Sequence, residues 1–387
     1  MYKRIRKTFV LLIAIPFILC GCWDQVLVEK TGFMTIVGME TAPGGNLKLT
    51  YGMPVIDPDV TKSRGEIFDT EANLTRIARD NVNRRSGKNM LAGKIQIILF
   101  SKEIAGQGRI YDINSIFERD PSDAILAWVV VVDGSPRSLI HQAEDNFTDK
   151  PRPSIYMNEI LERAVATAST IETRIYNYDL ISVAPGIDNI TPLIKIADKS
   201  IEVKGSALFS KGKMVGTINA QENGLLTSMM KTLKHKKFTY NASLLPVADE
   251  SYSEKQSAAI QLFQNSKKIK VSIRNNKPVV DIYLDFSGNA DEYKWDNLND
   301  EKEVKKFDEH FQEQIQQECQ KLIEYMQKIG SDPIGIGDMV RAKNNDYFKK
   351  VDWHTTYKSA QITTHVKFHL IEYRSEERRV GKECSQG

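Results

Sequence analysis

A long amphipathic segment between residues 300 and 329 constrains the fold of this chain more than any other feature. Its apolar side chains recur at spacings of three and four residues, and Gly330 follows as a stop signal. The recurring residues are Val304, Phe307, Phe311, Ile315, Cys319, Leu322, Met326 and Ile329. A stripe of this length must be buried against another layer, so the pattern predicts a long helix that packs on a sheet.

Segments that alternate polar and apolar residues flank this helix and can supply the sheet. Residues 268–274 and 278–286 alternate around Asn275-Asn276-Lys277, which predicts a hairpin. Residues 361–373 predict a final strand with its apolar side chains on one face. We therefore expect a C-terminal antiparallel sheet that carries a long amphipathic helix.

The N-terminal region has a different order of elements. It predicts a hairpin, an amphipathic helix, and then a strand, a helix and a second strand that lie side by side, at residues 33–53, 70–83, 94–100, 108–117 and 124–132. A meander between residues 194 and 218 opens the second part of the chain. The predicted fold class is α+β (mixed α/β) and multi-domain, with one domain at residues 22–189, open to a further split, and another at 190–373.

The first 24 residues have the pattern of a lipoprotein export signal. A basic start precedes an apolar run at residues 9–19, which is shorter than the roughly 20 residues that a membrane-spanning helix needs. Gly21 is the small residue that a signal peptidase requires before its cut. We predict that residues 1–21 form a signal peptide and that Cys22 carries the lipid; the alternative is an uncleaved anchor helix.

Removal of this signal changes the charge of the protein. The chain has 53 Lys and Arg and 50 Asp and Glu, and the signal holds four of the basic residues, so 53 minus 4 leaves 49 against 50. The mature chain is close to neutral, which gives no reason to expect nucleic acid as a partner. With Cys20 removed and Cys22 lipidated, Cys319 and Cys384 offer neither a disulfide framework nor a thiolate metal site.

Candidate chemical sites are few and weak. His365 and His369 fall on the polar face of a predicted strand, about 13 Å apart, too far for a shared metal. Gly335-Ile336-Gly337 is only a fragment of a phosphate-binding loop, and no nucleotide or serine-hydrolase motif is present. We therefore predict no enzyme activity, catalytic residue, metal or cofactor. The basic stretch at residues 231–237 is open to two interpretations, an anionic membrane surface or a polar loop.

Residues 374–387 do not continue the preceding pattern. They form a charged run without an apolar period, so we expect a non-native tail that replaces the natural end of the chain after Tyr373.

Several segments together resemble the Ger(x)C-type lipoproteins, the C subunits of nutrient germinant receptors of spore-forming bacteria. The resemblance covers nearly all of the chain up to Tyr373. It rests on the order of Gly21-Cys22-Trp23-Asp24, residues 93–105, Gly108, Arg119-Asp120-Pro121, residues 204–209, residues 214–216, residues 335–338 and Trp353.

The resemblance implies a multi-domain α/β protein that is not an enzyme. It also implies an anchor on the outer face of the inner spore membrane and two polytopic partners, the A-type and B-type receptor subunits. Only Cys22 transfers as a functional position, and contact with the small-molecule germinant stays open.

We predict a lipid-anchored, non-catalytic receptor subunit that is needed for assembly or signalling during spore germination. Two alternatives remain: a solute-binding lipoprotein of a transporter and a lipid-anchored cell-wall hydrolase.

Overall fold

The computed structural model describes residues 30–55, 65–119, 124–147, 149–233, 237–243, 257–292 and 301–372. The predicted signal with Cys22, the basic residues 234–236 and the predicted tail lie outside the described residues.

The elements of the first part follow one another in this order: β1 (Thr31–Phe33), β2 (Ile36–Thr41), β3 (Leu47–Pro54), β4 (Gly65–Ala72), α1 (Thr75–Asn83), β5 (Asn89–Leu91), β6 (Ile97–Ser101), α2 (Lys102–Gln107), α3 (Ile110–Arg119), β7 (Trp128–Val132), α4 (Pro136–Asn146), α5 (Pro153–Ala166), α6 (Ile175–Ser182), β8 (Ile190–Ala197), β9 (Ser200–Ser210), β10 (Lys213–Asn219) and α7 (Ala220–Met230).

An eight-stranded sheet of order β10-β9-β8-β7-β6-β2-β3-β4 forms the centre of this part. The neighbouring pairs β2–β6, β6–β7 and β7–β8 are parallel, and every residue of β6 and β7 is buried. Such continuous apolar strands require cover on both faces of the sheet. Helices α1, α3 and α6 share a core with one face, and α4 and α5 share a core with the other.

The predicted order of strand, helix and strand in this region is confirmed, and so is the hairpin of β2 and β3. The helix predicted at residues 70–83 begins later, at Thr75. The reason is that Gly65–Ala72 pairs with β3 as an antiparallel strand.

The sheet extends across the predicted domain boundary at residue 189. Strand β8 pairs with β7 through Val131↔Leu193 and Val132↔Ile194, and β9 and β10 continue the sheet as the predicted meander. Gly205 allows β9 to bend there, since its φ is +137° and an added Cβ would lie 2.1 Å from the carbonyl oxygen of Ile218. The division of the chain at that residue stays a prediction.

The second part consists of β11 (Lys237–Ser243), β12 (Ser257–Arg274), β13 (Lys277–Glu292), α8 (Glu301–Ile329), α9 (Ile336–Lys343), α10 (Asn345–Phe348), α11 (Trp353–Ser359) and β14 (Gln361–Glu372). Helix α8 packs its predicted stripe against a sheet of order β11-β12-β13-β14. Asn275 and Asn276, at φ of 48° and 58°, make the predicted hairpin turn. The α+β fold class is thus confirmed.

One detail of the C-terminal sheet was wrong in the sequence analysis. The sheet is mixed, because β14 runs parallel to β13 while the other pairs are antiparallel. Helix α8 lies between these two strands in the chain and returns it to the end of the sheet where β13 began, which makes the next strand parallel.

Candidate functional site

Two loops from distant parts of the chain meet in the interior of the protein. One follows α6 and the other lies between α8 and α9. The carbonyl oxygen of Gly186 accepts a hydrogen bond from the backbone N–H of Asp338 at 2.8 Å, and the N–H of Asp188 donates to the carbonyl oxygen of Asp332 at 3.0 Å. The N–H of Asp332 donates to the carboxylate of Asp188 at 2.9 Å. We call residues 186–189 and 331–338 the junction.

The carboxylate of Asp332 organises the second loop. One oxygen, Oδ1, accepts from the backbone N–H groups of Gly335 and Ile336, both at 3.0 Å. The other, Oδ2, accepts from the N–H of Gly337 at 2.8 Å and from Nε1 of Trp353 at 3.1 Å. The residue is only 1% exposed. Four donors thus surround a single buried carboxylate.

Burial shifts the titration of both junction acids. It raises the pKa of the Asp332 carboxyl to about 7, although the surrounding N–H donors favour the charged form. Burial also raises the pKa of Asp188. Hydrogen bonds from the N–H groups of Asp332 and Lys211, and the nearby ring of His354, lower it by a smaller amount. Nδ1 of that ring lies 3.8 Å from Oδ2 of Asp188.

Two glycines permit the close approach of the two loops. A Cβ added at Gly186 would lie 2.4 Å from the backbone nitrogen of Asp338, and one at Gly337 would lie 2.4 Å from Nε1 of Trp353. Real Cβ atoms do not come this close to such atoms. Any side chain at either position would force the junction apart.

The junction also explains the glycine-rich fragment Gly335-Ile336-Gly337. Backbone N–H groups at the start of a helix form an anion site, and a phosphate loop uses them for its ligand. Here the amides at the start of α9 are directed at the carboxylate of Asp332. The protein's own carboxyl group takes the place of a ligand, so this segment is a structural turn.

Further contacts join the long helix to the first sheet. The hydroxyl of Ser210, in β9, donates to the carbonyl oxygen of Gly330 at 2.6 Å. The hydroxyl of Tyr325 donates to the carbonyl oxygen of Thr217 at 3.3 Å and accepts from the N–H of the same residue. Together with the junction, these bonds connect α8 to β9 and β10.

A buried polar network fastens α7 to the same strands. Asn223 is fully buried; its Oδ1 accepts from the hydroxyl of Ser206 at 2.7 Å, and its Nδ2 donates to the carbonyl oxygen of Ala168 at 2.7 Å. The hydroxyl of Thr170 donates to the carbonyl oxygen of Gly205 at 2.8 Å. Such a network fixes one arrangement of its elements, because a broken member leaves a buried polar group unpaired.

Charged side chains pair with one another at the carboxyl ends of the parallel strands. Asp133, directly after β7, lies 2.5 Å from Nζ of Lys102 and 2.6 Å from Nζ of Lys204. Hydrogen bonds from these two lysines lower the pKa of Asp133. In open α/β sheets this edge is the usual place for a small ligand. Here Asp133 and the two lysines pair with one another.

His365 and His369 lie in β14 on the face away from α8. Nε2 of His365 donates to the carboxylate of Asp281 at 3.0 Å, and the ring stacks on Tyr283 at 4.6 Å between ring centroids. The neighbouring Val366 and Phe368 are buried under the helix, as the predicted alternation requires. Over the described ranges, no three His, Cys, Asp or Glu side chains form a group that could hold a metal ion.

Exposed apolar side chains are concentrated on one face of the first sheet. Of the eleven large apolar residues that are exposed in the described part of the chain, eight lie in or directly beside α1, α3 or α6, or in the adjoining loop at residues 125–126. They are Leu74, Ile77, Tyr111, Ile125, Leu126, Tyr176, Leu180 and Val183. We call this surface the helical face. An exposed apolar concentration of this kind is typical of a surface that binds a protein or a membrane.

The ridge of α6 is the most exposed part of the helical face. Tyr176, Leu180 and Val183 are spaced by four and three residues, so they form one line along the helix, and their exposed fractions are 47%, 68% and 63%. Leu126 adjoins them, since the loop that carries it bonds to the start of α6. In the part of the chain that the structure covers, no helix is long and apolar enough to cross a membrane.

Replacement of Asp332 by alanine tests the role of the junction in stability. The change leaves buried N–H donors without an acceptor, so we expect the free energy of unfolding to fall by at least about 3 kcal/mol. Urea unfolding followed by circular dichroism measures the difference. Asp338→Ala is the matched control, because that carboxylate is partly exposed and pairs with Arg341; a loss below about 1 kcal/mol is expected. Equal losses in the two variants would contradict this account.

Because the pKa of Asp332 is raised, the loss in the free energy of unfolding caused by Asp332→Ala depends on pH. The folded protein binds a proton at Asp332 between the ordinary pKa of 3.8 and the raised value of about 7, where the unfolded chain does not. Its stabilising contribution is therefore complete below pH 4 and declines as the pH rises through 7. Unfolding of wild type and Asp332→Ala at pH 5 and pH 8 should show a smaller difference at pH 8. A difference that grows with pH would overturn the assignment.

Comparison with protein families places matches on both parts of the chain. Residues 24–196 match the family described as spore germination protein N-terminal domain. Residues 204–373 match the family described as spore germination B3/GerAC like, C-terminal. The two matches follow each other in the same order as the two parts of the fold.

Individual relatives cover nearly the whole chain. Spore germination protein GerQC of Bacillus cereus is 22% identical over 93% of this chain and 98% of its own length. Spore germination protein B3 of Bacillus subtilis (strain 168) is 20% identical over 92% of this chain and 94% of its own length.

A solved structure has the same fold. The crystal structure of the GerBC protein matches with a TM-score of 0.54 and 15% sequence identity, and it covers 90% of this chain and 100% of its own. Paired family matches, full-length relatives and a shared fold agree, and the chain belongs to the Ger(x)C family, the family of germinant-receptor C subunits.

Proposed function

We propose that this protein is the lipid-anchored, non-catalytic C subunit of a spore nutrient germinant receptor. It assembles with the A-type and B-type membrane subunits on the outer face of the inner spore membrane. The observation that carries the proposal is the pair of family matches, which spans both parts of the fold in order. In this proposal the lipid at Cys22 attaches the protein to the bilayer.

Restriction to a membrane surface is what the anchor contributes. Two acyl chains on Cys22 hold a protein firmly at a bilayer. The domains then move in a thin layer close to the membrane subunits, and their effective concentration there is much higher than in free solution. Weak contacts between subunits become sufficient for assembly.

We assign the ridge of α6, which is part of the helical face, to contact with a membrane subunit of the receptor. Its three apolar side chains lie on the face where most exposed apolar residues of the described chain are gathered. Polytopic subunits present largely apolar surfaces near the bilayer, so an apolar ridge on a tethered domain suits them.

A rigid body is suited to pass on a change that occurs at such a contact. The junction holds the loop after α6 against the loop after α8 through Asp188 and Asp332. A displacement of α6 is therefore transmitted to the long helix and the second sheet, because buried hydrogen bonds hold the two loops at fixed distances from each other.

The two alternative functions receive less support from the structure. A solute-binding protein needs a ligand cleft, whereas the strand ends near Asp133 are occupied by paired charges and the junction by the protein's own carboxylates. A hydrolase needs a set of catalytic groups. The perturbed carboxyl of Asp332 is fully buried and surrounded by donors, out of reach of a polymer substrate.

Replacement of Cys22 by alanine tests the anchor. We expect the variant to leave the membrane fraction of spores and to lose the response to nutrients, because the tether is gone. Circular dichroism of the purified mature chain should match that of the wild type, since Cys22 lies before the described elements. Normal nutrient germination by this variant would contradict the proposal.

Replacement of Leu180 by aspartate tests the ridge of α6. A charge there opposes burial against an apolar partner, so we expect slower nutrient germination with unchanged membrane retention. Ile155→Asp is the control, because Ile155 is 42% exposed on α5, at the opposite face of the sheet. Equal germination rates in the two variants, measured by loss of spore optical density, would refute the assignment.

A further inference from the structure

The chain enters the folded protein beside a basic segment. Strand β1 pairs in parallel with β5, and Thr31 stands opposite Asn89. An added Cβ on Gly32 would lie 3.4 Å from Cβ of Lys88, so this lysine adjoins the first strand. The segment that leads from Cys22 therefore reaches the structure next to Lys88.

The length of that segment limits how far this entry point can be from the bilayer. Eight peptide units separate Cys22 from Lys30. At a maximum of about 3.6 Å for each residue they span at most about 29 Å. The surface around β1 and β5 is consequently held within that distance of the lipid headgroups whenever Cys22 is lipidated.

The segment that forms α1 and leads to β5 is basic although the mature chain is nearly neutral. The segment from Asn73 to Lys94 has one acidic residue, Asp80, and six basic residues: Arg76, Arg79, Arg84, Arg85, Lys88 and Lys94. Arg85 donates to the backbone carbonyl oxygens of Asn81 at 3.4 Å and Asp69 at 2.8 Å, which are neutral acceptors. Its positive charge remains available to an anionic surface.

Two exposed apolar side chains lie among the basic residues of this segment. Leu74, directly before α1, and Ile77, in its first turn, are three residues apart and have exposed fractions of 51% and 44%. Met34, directly after β1, and Arg76 and Arg79 of α1 line the same shallow hollow, so the helix lies beside this segment. Exposed apolar residues surrounded by arginine and lysine are the pattern of a segment that lies on anionic lipid.

We propose that α1 and the β1–β5 pair form a membrane-contact face that binds an anionic bilayer surface, with Leu74 and Ile77 at the headgroups. The proposal rests on the lipid anchor of the proposed function, which brings this face to the bilayer. The proposal gives the two ends of the helical face different partners. The α1 end is basic and contacts lipid, whereas the ridge of α6 is apolar and is left for a protein partner.

A fluorescence experiment can test the face without native lipid. The mature chain from Trp23, with Cys384→Ser and a His tag in place of Cys22, is held on vesicles by nickel-chelating lipid. An environment-sensitive dye is attached at Ile77→Cys or, as the control, at Ile155→Cys, which has a similar exposed fraction on the opposite face. Cys319 is fully buried and stays unlabelled.

We expect a blue shift of the dye at position 77 on vesicles of phosphatidylcholine with phosphatidylglycerol, a much smaller shift on phosphatidylcholine alone, and reversal by high salt. The dye at position 155 should not respond. Equal emission at the two positions, or an equal shift at position 77 on both vesicle types, would overturn the proposal.

Charge reversal supplies a second test. Arg84→Glu with Arg85→Glu should abolish the shift at position 77, while Lys349→Glu with Lys350→Glu, also exposed adjacent residues, should leave it unchanged. The same response in both double variants would overturn the face. Because the tag replaces the lipid, failure here leaves the anchor at Cys22 intact, and that anchor is tested separately by Cys22→Ala.

Discussion

The buried carboxylate of Asp332 is the interaction on which the arrangement of the two parts depends. It collects four N–H donors from a tight turn, the start of α9 and the indole of Trp353. The turn it shapes then bonds to Asp188 and Gly186 in the first part of the chain. A buried acid costs free energy unless its donors are in place, so the site forms only when both loops are correctly positioned.

The junction also fixes the positions of the surfaces outside the core relative to one another. Because the eight-stranded sheet, α8 and the second sheet are joined through buried bonds, the chain presents its surfaces in fixed relation. The helical face then has two ends of different chemistry, basic at α1 and apolar at the ridge of α6. In the proposed receptor, one end contacts lipid near the anchor and the other contacts a membrane subunit.

Local patterns were sufficient to predict most elements but not the junction. Period-two spacings, helical spacings and short apolar runs identified the two hairpins, the long helix and the strands at residues 94–100 and 124–132, because those signals arise within a few residues. Gly335, Gly337 and Trp353 were also noticed. Their partner Asp188 lies 144 residues from Asp332, and no local spacing reveals such a pair. The aspartate just before a glycine-rich helix start was a usable signal for the turn itself.

The most direct test of the account is the set of proteins that the native-length chain binds in its own membrane. A tagged version would be recovered from detergent-solubilised inner spore membrane, and its companions identified by mass spectrometry. The account predicts two polytopic proteins encoded beside it, in comparable amounts. Recovery of an ATP-binding transporter, or of no membrane protein, would contradict it.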